Sequence, residues 1–125
     1  MIRYLIDADS SIYSMIDARA PITRRIASVD AGEIAISVIS YAEIALGSHV
    51  GKPPPPDVLD AFILAIPLLP FDEAAAREYA RLPFKRARFD RLLAAHALSI
   101  DAAIVTNNEA DFADVPGLKV ENWTV

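Results

Sequence analysis

Ile2-Arg3-Tyr4-Leu5-Ile6 runs directly into Asp7-Ala8-Asp9, and this junction decides the fold. Aromatic and branched residues in an apolar run read as a buried strand, here ending on a carboxylate. Ser10 and Ser11 are the expected N-caps of a helix reaching about residue 18. Pro21 suits the first turn of a second helix, to about Val29. Residues 34–38, Ile-Ala-Ile-Ser-Val, form a second strand, and Ser40 opens a helix through Gly47 that Gly51 stops.

The alternation continues to the end of the chain. Pro53 to Pro56 is a stiff spacer ahead of a helix at 57–66. Pro67 to Phe71 reads as a third strand. Asp72 caps a helix from Glu73 to Leu82, which Pro83 ends. Phe89 to Ile100 is an apolar helix, Ala103 to Val105 a fourth strand and Lys119 to Glu121 a fifth. Strands separated by long helical crossovers imply an α/β fold: a parallel sheet with helices on both faces.

Composition narrows the function. At 125 residues and 54% hydrophobic, the chain supports one domain, 1–125, and no second. The absence of cysteine excludes disulfides, thiolate metal sites and cysteine nucleophiles, and two histidines exclude a His-rich metal centre. Ala61 to Phe71, the longest apolar stretch, is too short to span a membrane and holds Pro67 and Pro70. No signal peptide is expected before the first strand, and a reducing cytoplasm is the expected compartment. A net charge of −5 argues against indiscriminate nucleic-acid binding. Yet Arg77, Arg81, Lys85, Arg86, Arg88 and Arg91 face only Glu78 and Asp90, giving that window +4. Such a run is either a phosphate grip or a solvated face.

Ligands of parallel sheets bind outside the carboxyl ends of the strands. Asp7 and Asp9 follow strand one, and Asn107, Asn108, Glu109 and Asp111 follow strand four. Glu43 lies early in the helix after strand two, and Asp90 opens the helix before strand four. Each has a local explanation. Ser40 to Glu43 and Thr106 to Glu109 match capping boxes, Asp90 suits a helix dipole, and Asp7 and Asp9 suit a turn. Convergence is harder to explain locally. Two carboxylates about 4 Å apart repel by roughly 4 kcal/mol at an effective dielectric of 20. A hard cation such as Mg²⁺ or Mn²⁺ is the natural counter-charge, and it can activate water beside a phosphodiester.

These residues carry a resemblance. Tyr4 to Asp9 resembles the opening motif of the PIN-domain nucleases, with Asp9 where Asn is usual. Ile36 to Gly47 is similar to their second motif and Phe89 to Leu98 to their third. Val105 to Phe112, followed by Val115 to Trp123, resembles the fourth motif and tail. The likeness is greatest to the VapC toxins of toxin–antitoxin pairs. It implies a PIN-like three-layer sandwich and a Mg²⁺- or Mn²⁺-dependent endoribonuclease cutting tRNA or rRNA. It also implies silencing by a VapB antitoxin and a homodimer. Carried over, Asp7, Glu43 and Asp90 are the catalytic carboxylates, with Asp7 and Asp90 on the metal. Asn108 or Asp111 takes the fourth position, with Asp9 and Thr106 in support. Lys85, Arg86, Arg88 and Arg91 would hold RNA phosphates.

Two other readings compete. Asp7-Ala8-Asp9 resembles the nucleophile loop of haloacid-dehalogenase-like phosphatases. Those sites, like receiver domains, need a late lysine, and Lys52, Lys85 and Lys119 are poorly placed for it. A non-catalytic module binding a basic peptide in an acidic pocket is the other.

Overall fold

The computed structural model describes residues 1–83 and 88–125, together with the helical backbone but not the side chain of Arg88. Five strands form one parallel sheet: β1 (Tyr4–Ile6), β2 (Ile34–Ser37), β3 (Leu68–Leu69), β4 (Ala103–Val105) and β5 (Val120–Glu121). Their order is β3-β2-β1-β4-β5. Leu5 pairs with Ala35 and Ile104, and Ile6 with Ile36 and Val105.

Strand alternation builds two cores from these few residues. Ile6, Ile34, Ile36 and Val105 face one way and meet Ile22, Ile44, Leu59 and Trp123. That layer comprises α1 (Ala8–Ile16), α2 (Pro21–Ser28), α3 (Val38–His49) and α4 (Pro56–Ala65). Leu5, Ala35 and Ile104 face the other way, onto Leu93, Ala94, Ala97, Phe112 and Val115. Leu93, Ala94 and Ala97 belong to α6 (Arg88–Ser99), against which α5 (Glu73–Arg81) packs. The three-layer α/β arrangement is the expected one. No helix among the described residues is long and apolar enough to cross a membrane.

Elements form where expected, but two caps move. Asp7, not Ser10 or Ser11, caps α1: its Oδ1 accepts the Ser10 backbone N–H at 2.9 Å. Ser37, not Ser40, caps α3, its Oγ accepting from Ile39 N–H at 3.1 Å. Both helices therefore start within a residue of the strand, and the serines proposed as caps are buried in the first turn. Pro55 and Pro56 start α4, and Asp72 caps α5 through Ala75 N–H at 3.0 Å.

Candidate metal-dependent nuclease site

The strand order reverses between β1 and β4, so a crevice opens beyond their carboxyl ends. A cleft of about 70 Å³ lies there, lined by Asp7, Asp9, Glu43, Asp90, Thr106, Asn108 and Asp111 over Leu93 and Phe112. Asp7, Asp9, Glu43, Asp90 and Asp111 share this one cleft although they come from well-separated parts of the chain, whereas Glu109 does not line it.

Each is placed by backbone structure. Asp7 N–H donates to Val105 O at 2.9 Å, fixing the end of β1 against β4. Asp9 is exposed in the first turn of α1. Glu43 is the sixth residue of α3 and is exposed toward the cleft. The Ser37 cap leaves Ser40 inside the helix, so the capping-box account of Glu43 does not hold. Asp90 occupies the first turn of α6, as its dipole reading anticipated. Thr106 N–H donates to Glu121 O at 2.9 Å, and Thr106 Oγ1 accepts from Asn108 N–H at 3.0 Å. Asn108 Nδ2 in turn donates to Asp111 Oδ2 at 2.7 Å, on a 3₁₀ turn over Glu109–Phe112.

The electrostatics are those of crowded negative charge. Burial raises the Asp7 pKa, against hydrogen bonds from Thr106 and Ser10 that favour its charged form. Glu43 is raised to about 6, by burial first and then by Asp90, Asp9 and Asp7. Asp90 is raised by burial and then by Asp111 and Asp7, with Arg91 opposing. Among the described residues no three acidic or histidine side chains stand close enough to hold a metal ion as they are. A bound cation would offset the repulsion among these carboxylates. The donors are carboxylate, amide and hydroxyl oxygens, a set that fits Mg²⁺ or Mn²⁺ and not a soft metal.

The basic segment reads differently. Lys85 and Arg86 lie outside the described residues, as does the side chain of Arg88. Arg91, expected on RNA phosphate, is instead 5% exposed and binds both oxygens of Asp114, at 2.8 and 2.7 Å. It clamps the start of α6 to the loop behind Phe112. Asp114 carried no signal in the sequence, being one acid in a loop 23 residues from its partner. His96 is buried and hydrogen-bonded to Ser37.

The PIN domain family model matches residues 4–118. The chain belongs to the PIN-domain family. The tRNA(fMet)-specific endonuclease VapC of Shigella flexneri is 29% identical to it over 133 residues, covering 99% of this chain and 100% of that protein. Ribonuclease VapC2 of Rickettsia felis is 31% identical over 99 residues, covering 72% of this chain and 74% of the other. Among solved structures, VapBC2 from Rickettsia felis bound to a DNA fragment from their promoter superposes with a TM-score of 0.85 at 25% identity. It covers 98% of this chain and 99% of the other. Within the family, the chain is a ribonuclease toxin of the VapC type. These relatives leave the phosphatase and peptide-module readings without support.

Proposed function

We propose that the whole chain, 1–125, acts as one unit, a divalent-metal-dependent endoribonuclease whose substrate is tRNA, with initiator tRNA the first to test. The observation that carries this is the gathering of Asp7, Glu43 and Asp90 from three elements into one oxygen-rich cleft at the reversal of the sheet. The tRNA assignment leans on the relative that is specific for tRNA(fMet).

In this reading Asp7 and Asp90 hold Mg²⁺ or Mn²⁺, with Asn108 or Asp111 at the fourth position and Asp9 and Thr106 in support. The bound ion would lower the pKa of water and offset charge gathering on the phosphodiester. Glu43, with a pKa near 6, orients the attacking water and takes its proton. Oxygen attack in line forms the new P–O bond as the bond to the 3′ oxygen breaks. That oxygen picks up a proton, leaving 5′-phosphate and 3′-hydroxyl ends. Lys85, Arg86 and Arg88 provide cations for flanking phosphates.

A cytoplasmic VapB-type antitoxin and a homodimer complete the proposal. Solved neighbours are VapBC complexes, and exposed Leu46, Val50 and Leu64 supply apolar surface for contacts of this kind. The test is incubation of the antitoxin-free chain with total tRNA in Mg²⁺, Mn²⁺ or EDTA, beside Asp90→Asn. One cleaved tRNA, protected by EDTA and by the variant, is the expected result. Equal cleavage by Asp90→Asn would remove Asp90 from the reading.

A further inference from the structure

Glu43 and Asp90 sit on helices that pack against opposite faces of the sheet and also touch one another directly. A hydrogen bond at the end of β2 joins that contact to the strand ends that frame the cleft. Ile34 and Ile36 face the α3 layer, while Ala35, and by alternation Ser37, face α6. Ser37 Oγ accepts from Ile39 N–H and thereby starts α3. The same oxygen lies 2.7 Å from His96 Nδ1 on α6.

Oγ accepts one bond from the backbone and keeps its hydroxyl hydrogen and a second lone pair, so the ring tautomer sets the roles. With the ring hydrogen on Nε2, Nδ1 accepts the Ser37 hydroxyl hydrogen, which is the arrangement assigned here. Burial lowers the His96 pKa and keeps the ring neutral, as acceptance requires. Phe71 stands edge-on to the ring at 5.7 Å between centroids, which restricts its rotation. Both partners are at most 2% exposed, so neither can exchange this bond for water.

The spacing is symmetrical. Glu43 is six residues after Ser37 on α3, and Asp90 is six residues before His96 on α6. Six helical residues rise about 9 Å. We propose that Ser37 and His96 form a positioning pair that ties α3 to α6 and sets the separation of Glu43 and Asp90 in the cleft. This rests on reading the cleft as the cutting site. Neither residue touches the cleft, so neither is a catalytic residue.

The experiment compares His96→Asn with His96→Gln. The Asn amide oxygen sits near the place of Nδ1 and can accept from Ser37, whereas Gln carries its amide out toward Nε2. Gln is the closer match in volume, so a role in packing alone favours Gln. Mn²⁺ binding is measured by calorimetry without RNA, and kcat and KM are measured on tRNA. His96→Gln should weaken Mn²⁺ binding and lower kcat, each about tenfold, with KM unchanged. His96→Asn should stay at the native values. If a His96 variant melts below the assay temperature, Ser37→Ala against Ser37→Thr makes the same comparison, since only Thr keeps a hydroxyl to donate. Equal loss in the paired variants, or no loss in either, overturns the pair's role while native Mn²⁺ binding and cleavage stand. A native chain that neither binds Mn²⁺ nor cuts RNA overturns the reading of the cleft, and the pair's role with it.

Discussion

Asp7 does two jobs that substitution can separate. Its Oδ1 accepts Ser10 N–H at 2.9 Å and starts α1, while its charge faces the cleft. Asn keeps an acceptor in the same place, and its Nδ2 can donate to Thr106 Oγ1. Ala keeps neither. Both substitutes are neutral, so the difference between them reports the cap, worth about 1 kcal/mol, together with the smaller contribution of the Thr106 contact. For a chain of this size that is about 3–6 °C in Tm. Against the native chain the comparison is different. Burial raises the Asp7 pKa above its unfolded value, so the charged form costs folding stability at neutral pH. Asp7→Asn should therefore melt at or above the native temperature in EDTA, with Asp7→Ala about 3–6 °C below Asp7→Asn. Cleavage of tRNA should fall by at least about 100-fold in both, since removing a proposed ligand exceeds the loss from a supporting residue. Calorimetric melting and a gel assay on the same preparations make the check. Asn and Ala melting together would refute the cap. An Asn variant that cuts like the native chain would refute the need for charge at position 7.

Three further outcomes are expected. Glu43 titrates near 6 in the fold against 4.5 unfolded, so its ionised form opposes folding above about pH 6, and that cost fades as pH falls toward 4.5. Glu43 is solvent-exposed, so screening limits the effect to below about 1 kcal/mol. Urea unfolding of metal-free native and Glu43→Gln chains at pH 7.5 and 5.5 should show the variant's advantage at the higher pH shrinking at the lower. His96 works in the opposite sense, its lowered pKa removing stability as pH falls below 6.5, but it is common to both chains and cancels. Asp114→Asn leaves the buried Arg91 guanidinium with a weaker partner and should cost about 2 kcal/mol, less than for a fully buried pair because Asp114 is exposed. Arg91→Met should cost less, and equal urea midpoints for the two would contradict this. Asp101 holds a φ of +53°, which a β-branched side chain resists. Asp101→Val should lose about 1–2 kcal/mol while Asp101→Gly stays near native, and a stable Val variant would show that the turn relaxes.

The strands and helices were legible because each apolar run is short and bounded by proline, glycine or an acid. Ile34 to Ser37 has four successive buried residues, a pattern that only a strand covered on both faces requires. Caps were less legible. Ser10, Ser11 and Ser40 have the right chemistry for a helix start, but the turn begins a few residues earlier, where Asp7 and Ser37 end their strands. Cap preference is local, whereas the point at which a parallel strand must turn is set by its neighbours. The Arg91–Asp114 clamp and the Ser37–His96 bond were invisible for the same reason: their partners lie 23 and 59 residues apart. Charge clustering also misled at Arg91, which belongs to the basic window by sequence and to the interior by fold.

What distinguishes the site is which acids structure can account for. Asp7 caps α1 and Asp90 occupies a helix N-terminus, so each has a local structural role to set against the cost of its charge. Glu43 has no such role. It lies in the second turn of α3, beyond reach of the cap, and its carboxylate is raised to about 6 by burial and by three neighbouring acids. Replacing it by Gln would relieve that repulsion at no cost in helix propensity. A side chain that costs stability where it stands must be explained by what it does with a partner present. Proteins lose stability at functional sites in just this way. Glu43 is therefore the residue on which the nuclease reading depends most, and Glu43→Gln should be more stable than the native chain without divalent metal and less active with it.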